Sequence, residues 1–397
     1  MQMTEKAQKL LLEVLKASLF DITPSFPDDT DWNAVVEEAK AQTVMGLISP
    51  MIPVHDESSD QGRARYMQLL YEQDKLIKLF DNNQIPCVIL KGCAAAVYYP
   101  KPYLRSMGDI DFLVPRDKFY EAAGLMESSG YIYDHGKDSN GNLKDGERHI
   151  AYSKNGIMFE LHHHFSSPGF DIDDILEKAI DNREYRELNG YKVPMLPDIE
   201  NGLVLIGHIN QHLKVSNLGL RQIIDWEMYL NSVMDSEKWE NEFVPLAKKI
   251  GLYELAVNVT VLCEKHLGLP EIVSQHDVKN ESAAEELLDM IMTHGNFGRK
   301  NEASRKNNEE KFASVAYSIK TMGLYPFLQQ VGMGTWSLYK KHSWLKPFAF
   351  IYAFFRLLKR GAVAAVYTKN IRQHIQDGKN RYDNYKKLGI RSKDQQP

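Results

Sequence analysis

The sequence predicts an α+β protein in which a small mixed sheet sits between N-terminal and C-terminal helical regions. Three observations predict it. Apolar residues recur at helical spacing from Thr4 to Phe80 and again beyond Asp171. Between them, from Cys87 to Phe165, short apolar runs alternate with short helical ones in the order strand, helix, strand, helix and then a strand pair. That pair flanks Lys154-Asn155-Gly156, and Asn-Gly between apolar runs is a strong hairpin signal.

Taken in order, Leu10, Leu11, Val14, Leu15 and Leu19 form one stripe of a first helix. A second pattern runs from Asp31 to about Ile48, and a third from Gln61 to Phe80 carries Tyr66, Leu69, Leu70, Leu76 and Leu79. Asp81-Asn82-Asn83 breaks that helix. Cys87-Val88-Ile89-Leu90 is short and uniformly apolar, as a buried strand must be. A short helix follows over Cys93 to Val97 and is ended by Pro100 and Pro102. Asp109 to Val114 is a strand, Arg116 to Ser129 an amphipathic helix stopped at Gly130, and Tyr131-Ile132-Tyr133 opens another strand. His135 to Gly146 is a polar, glycine-rich loop, after which His149–Ser153 and Ile157–Phe165 pair. Beyond Asp171 the pattern is helical almost throughout, with candidates at Asp171–Ile180, Ile199–Lys214, Leu220–Ser232, Ser236–Ile250 and Leu252–His266. Pro270 and the polar run His276–Glu286 suggest a boundary, and Asn296–Lys311 has the composition of a linker.

The 397 residues, 43% hydrophobic and 25% charged, have ordinary globular usage. The three cysteines, Cys87, Cys93 and Cys263, fall inside apolar runs, so they read as reduced core thiols of a cytoplasmic protein. Neither a signal-peptide pattern nor an uninterrupted apolar run of about 18 residues is present, which argues against secretion and membrane spanning. The net charge of −5 is unevenly spread, because Trp336 to Pro397 carries 14 Lys+Arg against 3 Asp+Glu. A basic segment of that kind meets something anionic, whether lipid, nucleic acid or the protein's own acidic body.

The chemistry concentrates between Cys87 and Pro115. Side chains alternate along a strand, so Asp109 and Asp111 share one face while Ile110 and Phe112 share the other. Two carboxylates so close repel unless a cation lies between them; the plainer reading is a wet strand end. Glu160 shifts the balance, because a carboxylate inside the apolar strand Ile157-Met158-Phe159-Glu160-Leu161-His162 is costly without a metal or cation. If the two strands are neighbours, Asp109, Asp111 and Glu160 converge as ligands for one or two divalent cations facing a nucleotide's phosphates. Lys91-Gly92 marks a strand-to-helix turn where backbone can approach a phosphate.

Leu90-Lys91-Gly92, Tyr98-Tyr99-Pro100, Arg105, then Gly108-Asp109-Ile110-Asp111, followed by Glu160-Leu161-His162, resembles the bacterial, largely uncharacterised branch of the nucleotidyltransferase superfamily. The resemblance covers about residues 85–230 and implies a polymerase-beta-like palm. It implies that Asp109, Asp111 and Glu160 bind Mg2+ or Mn2+, that Glu160 is also placed to serve as base, and that an NTP donates its NMP group. Lys91, Gly92 and Arg105 are implied phosphate contacts, Arg105 being equally readable as an ion pair that orients an aspartate. The superfamily has a serine after the turn glycine; Cys93 stands there instead.

His162 and His164 share a strand face, and His208 and His212 lie one helical turn apart. Such histidines are more often packing residues than ligands, yet His162, His208 and His212 lie where the resemblance implies the nucleotide is held. Arg221 and Asp225, also one turn apart, read first as an intrahelical ion pair, although with His208, His212 and Lys214 they lie on the consecutive helices where the resemblance implies the nucleotide base and acceptor are held. A phosphohydrolase centred on the histidines and a non-catalytic nucleotide-binding module are the competing readings. The expected domains are a helical cap over residues 1–84, a palm over 85–197, a helical domain over 198–295 and a basic helical region over 296–397. The acceptor is a small molecule, glycan or protein rather than nucleic acid, since the basic-aromatic interleaving of a nucleic-acid groove is missing. Trp344 to Tyr367, apolar with embedded Lys346, Arg356, Lys359 and Arg360, reads as a body-packed helix or as one lying on the inner membrane face.

Overall fold

The computed structural model describes residues 2–133, 149–165, 172–215, 218–272, 281–296, 300, 323–335 and 343–356. The chain forms two compact units, Met1–Lys300 and Asn301–Pro397. The first opens with helices α1 (Gln2–Leu19), α2 (Trp32–Gln42), α3 (Met45–Ile48) and α4 (Glu57–Asn82). Two of their starts have a local cause: the Asp31 carboxylate accepts from the Ala34 amide at 3.1 Å and Asp56 from the Ser58 amide at 3.0 Å. Each carboxylate satisfies an N–H that the first helical turn leaves without a partner. Thr43, at φ 60°, ends α2 and turns the chain into α3, so the single helix expected over Asp31–Ile48 is two.

The sheet holds β1 (Val88–Leu90), β2 (Asp109–Leu113), β3 (Ile132–Tyr133), β4 (His149–Lys154) and β5 (Ile157–His162) in the order β1-β2-β5-β4-β3. Only β2 and β5 run parallel, so the sheet is mixed as the sequence predicted. Asn155 at φ 52° and Gly156 at φ 73° make the β4–β5 turn, in which both central residues are left-handed and the twist matches the strands. One face carries Ile110, Phe112, Ile150, Tyr152, Phe159 and Leu161, each at most 2% exposed. Burial of such side chains contributes about 1.5–3 kcal/mol apiece, which fixes the strand register. Helix α4 closes over this face, with Phe80 edge-on to Phe112 at 5.5 Å. Helix α5 (Gly92–Ala96) follows β1, and α6 (Phe119–Ser128) links β2 to β3.

After α7 (Ile172–Ala179) the structure departs from the helical expectation. β6 (Glu184–Leu188) and β7 (Tyr191–Met195) form a separate antiparallel hairpin across Asn189 and Gly190, at φ 50° and 81°. Its first strand is exposed at four consecutive positions, Glu184 to Glu187, and therefore shows no alternation of polarity to read. Helices α8 (Asp198–Val215) and α9 (Leu220–Val233) come next, then α10 (Ser236–Lys238), a π turn at Trp239–Phe243, α11 (Val244–Lys249), α12 (Tyr253–His266) and α13 (Glu281–His294). Trp226, Trp239 and Phe243 fill this helical core. The run His276–Glu286 is no clean boundary, since α13 begins inside it at Glu281.

In the second unit the helix Leu324–Thr335, the turn Ser343–Phe348 and helical residues 349–356 are described, with Phe327, Leu328 and Ala353 packed together. The loop expected at His135–Gly146, most of the linker Asn296–Lys311 and residues 357–367 of the basic apolar segment lie outside the described residues. Among the described residues no helix is long and apolar enough to cross a membrane.

Candidate active site

The polar face of the sheet gathers the acids. Asp111 on β2 stands in register with Glu160 on β5, and Asp109 is opposite Met158 two positions earlier on the same face. Asp111 is only 4% exposed, and its Oδ1 meets Lys91 Nζ at 2.8 Å and His162 Nε2 at 3.0 Å. Burial works against its charge, but Lys91 and His162 outweigh it and hold the carboxyl well below the usual range. Lys91 and His162 are in turn raised: burial disfavours their charged forms, and the Asp111 carboxylate more than offsets that. Asp109, at the exposed strand end, is pushed up chiefly by repulsion from Asp111. That repulsion is what a cation would relieve, and the three acids share one sheet face.

One guanidinium clamps the mouth of this face. Arg65 of α4 donates to the Gly108 carbonyl at 2.9 Å and to the Gly156 carbonyl at 3.0 Å, joining the residues that precede β2 and β5. The spacing of Asp109 and Asp111 from Glu160 is therefore held from the helical cap as well as by the strand ladder.

Lys91 enters the turn at φ 52° and ψ −138°, a backbone conformation costing about 1–3 kcal/mol for a residue with a side chain. The strain aims its ammonium back at β2. Gly92 follows at φ 34°, where a Cβ would be strained although space is open, its nearest neighbour being the Asp109 carbonyl at 3.8 Å. Cys93, in the superfamily's serine position, points into the core beside Met107, and burial pushes its thiol up to about 12. It therefore offers neither a hydroxyl nor a thiolate to a phosphate.

Arg105 pairs with α9 and not with the aspartates of β2. Its Nε and one Nη donate to the two oxygens of Asp225 at 2.6 and 2.7 Å, and the Tyr99 hydroxyl donates to the same carboxylate at 2.7 Å. All of this is buried, so the guanidinium fork is spent on tying the β1–β2 connection to α9 and pairs with neither aspartate of β2. The expected Arg221–Asp225 pair is absent for the same reason. Arg221 donates only to the Ser106 carbonyl, at 3.3 Å, and its Nε is shut off from solvent with no hydrogen-bond partner. No carboxylate lies within ion-pair distance of Arg221 among the described residues, while its charge is felt at Asp109. The i,i+4 spacing made the ion pair with Asp225 the first reading of Arg221 and a place among the nucleotide-side residues the second; the first does not form, since Asp225 is taken by Arg105.

The histidines divide into three groups. His163 stacks on Phe119 at 4.0 Å and His164 turns to Asp173, so His164 does not join His162 at the acids. His208 and His212 share a hydrogen bond between their Nε2 atoms at 2.9 Å, and burial with Lys91 nearby keeps His208 well below its usual value. No third metal-ligating side chain joins that pair among the described residues. The one such group there is His149, Glu160 and His162, which brings in His149, a residue the spacing did not single out.

Solved structures with some likeness include the antibiotic-resistance factor ANT(2'')-Ia in solution, 12% identical over 46% of this chain and 93% of that one, with a TM-score of 0.33. The crystal structure of ANT(2'')-Ia with adenylyl-2''-tobramycin is 15% identical over 44% and 93%, with a TM-score of 0.31. A nucleotidyltransferase-like antigenic protein from Paracoccidioides brasiliensis is 15% identical over 55% and 98%, with a TM-score of 0.34. Among curated protein sequences nothing matches significantly. The family model described as "uncharacterised nucleotidyltransferase" matches residues 28–268, a span that takes in α2 to α12, the whole sheet and every acid and cation of this site. By that match over more than half its length, the chain belongs to the uncharacterised nucleotidyltransferase family.

Proposed function

We propose that this protein transfers an NMP group from an NTP to an acceptor nucleophile, in a reaction that depends on Mg2+ or Mn2+. The observation that carries the reading is the register of Asp111 with Glu160 on adjacent parallel strands, with Asp109 on the same face. Asp109, Asp111 and Glu160 would hold the cation, which when bound lowers the acceptor's pKa and balances charge on the phosphates. The protein's own groups do the rest. Lys91 and Arg221 supply positive charge for the triphosphate, and the open backbone at Gly92 lets a phosphate come close. His162 holds the Asp111 carboxylate in place through its 3.0 Å contact. Glu160 is the proton acceptor for the attacking group; the new bond forms to the α-phosphorus as the bond to pyrophosphate breaks. His208 and His212 close the helical side, where their mutual hydrogen bond keeps one proton between two rings. The acceptor is a small molecule, glycan or protein group.

The test is labelled NTP with purified protein and a cell extract, comparing wild type with Asp109→Asn and Asp111→Asn. Removing one charge that acts on the transition state costs about 10²–10³-fold in rate. Asp109 is exposed and serves as the fold-neutral variant. Wild-type rates in both variants, with folding verified by circular dichroism, would sink the assignment.

A further inference from the structure

We propose that His149, Glu160 and His162 form a binding site for a divalent transition metal of the zinc class, separate in its donor chemistry from the aspartates of β2. The three side chains share the polar face of the sheet: His149 on β4 stands opposite His162 on β5, and Glu160 is two residues before His162. Glu160 Oε2 lies 3.4 Å from His162 Nε2 and 3.7 Å from His149 Nε2, and one donor atom from each of the three lies within 4.8 Å of the others. Donors about 2.0–2.2 Å from a tetrahedral Zn2+ are separated by roughly 3.3–3.5 Å, so two of the three edges nearly have the required length. Small side-chain rotations close the third.

The outer contacts agree with that use. His162 Nδ1 faces the His164 carbonyl at 3.4 Å, a contact that holds a proton on Nδ1. Its Nε2 faces both Glu160 Oε2 and Asp111 Oδ1, the latter at 3.0 Å, so metal binding displaces the Nε2 proton that these carboxylates accept and takes its place between them. Two imidazoles with one carboxylate form a donor set that prefers Zn2+, Co2+, Ni2+ or Fe2+, whereas Mg2+ prefers oxygen ligands alone. His149 and Glu160 are half-buried, so a fourth position remains open to water or to a substrate group. The site goes beyond nucleotidyl transfer, and its occupant competes for the Glu160 carboxylate on which that reaction draws.

The experiment titrates Co2+, and Zn2+ in competition, into the full chain without nucleotide and in excess Mg2+, reading visible d–d absorption and calorimetric affinity. We expect one tight, Mg2+-resistant site with low-coordinate absorption. His149→Ala should weaken it by about 100-fold or more, whereas Asp109→Asn should leave it within about threefold. Thermal unfolding in chelator verifies that both variants fold, and His149→Gln repeats the test should His149→Ala fail to fold. Absorption of an octahedral ion in wild type, or equal affinity in the His149 variant, overturns the proposal. Because no NTP is present, that failure is distinct from absence of nucleotidyl transfer.

Discussion

Arg105 and Arg221 carry opposite predictions. Arg105 is 4% exposed and Asp225 is 2% exposed, with three hydrogen bonds of 2.6–2.7 Å converging on the carboxylate. Asp225→Ala leaves a buried guanidinium and the Tyr99 hydroxyl without that partner, a loss of about 3–5 kcal/mol. A unit of 300 residues, Met1–Lys300, sits at or below the low end of about 2–4 °C per kcal/mol, so the melting point should drop by about 6–10 °C. Replacing both partners, Arg105→Met with Asp225→Leu, should recover most of this, because a well-packed apolar pair can match a buried ion pair. Arg221→Met removes a cation that makes no direct ion pair, so stability should stay within about 1 kcal/mol of wild type. Its effect should fall on triphosphate binding, where losing a charge-assisted hydrogen bond of about 1.5–3 kcal/mol weakens affinity by roughly 10–100-fold. Denaturant unfolding and NTP calorimetry on the three variants read both quantities. Stability unchanged in Asp225→Ala, or NTP affinity unchanged in Arg221→Met, would refute the division of labour.

Glu227 on α9 is fully buried, and burial raises its carboxyl well above the ordinary value, with the charge of Lys16 and the Leu269 backbone amide too weak to offset this. Between the unfolded value of 4.5 and the raised native one, the folded state keeps a proton that the unfolded chain has lost, so stability falls as pH rises through that window. Glu227→Gln should flatten the fall and raise the melting point at pH 8; a variant no more stable than wild type there would contradict it. All three cysteines are buried, with Cys87 and Cys93 pushed up to about 12 and Cys263 raised further by burial and Glu227. Native protein should therefore resist iodoacetamide at pH 8 and label only when unfolded, and rapid labelling of native Cys93 would show that the turn beside Lys91 is open.

The strands and their faces were legible because each depends on neighbours in sequence. Alternation put Asp109 with Asp111 and Glu160 with His162, and Asn155-Gly156 fixed one hairpin by the φ > 0 that both residues tolerate. Asn189-Gly190 carries the same signal, yet β6 and β7 were missed, since the exposed first strand lacks an apolar face to alternate with. Helix stripes in α1, α4, α8 and α9 were readable from spacing alone, while the break at Thr43 turned on a single left-handed residue.

By itself, then, the sequence determined a mixed sheet with helices around it and placed Asp109 with Asp111 on one strand face and Glu160 on the polar face of another; the pairing of β2 with β5 brought the three together. Tertiary structure alone decided which charge meets which. Arg105 and Asp225 are far apart in sequence and meet only when α9 docks beside the β1–β2 connection, which leaves Arg221, one turn from Asp225, with the Ser106 carbonyl and no carboxylate in ion-pair contact. His149 likewise reaches Glu160 only through the pairing of β4 with β5. Charges are long-ranged and side chains flexible, so spacing along the chain proposes partners, and it is burial and docking that select among them.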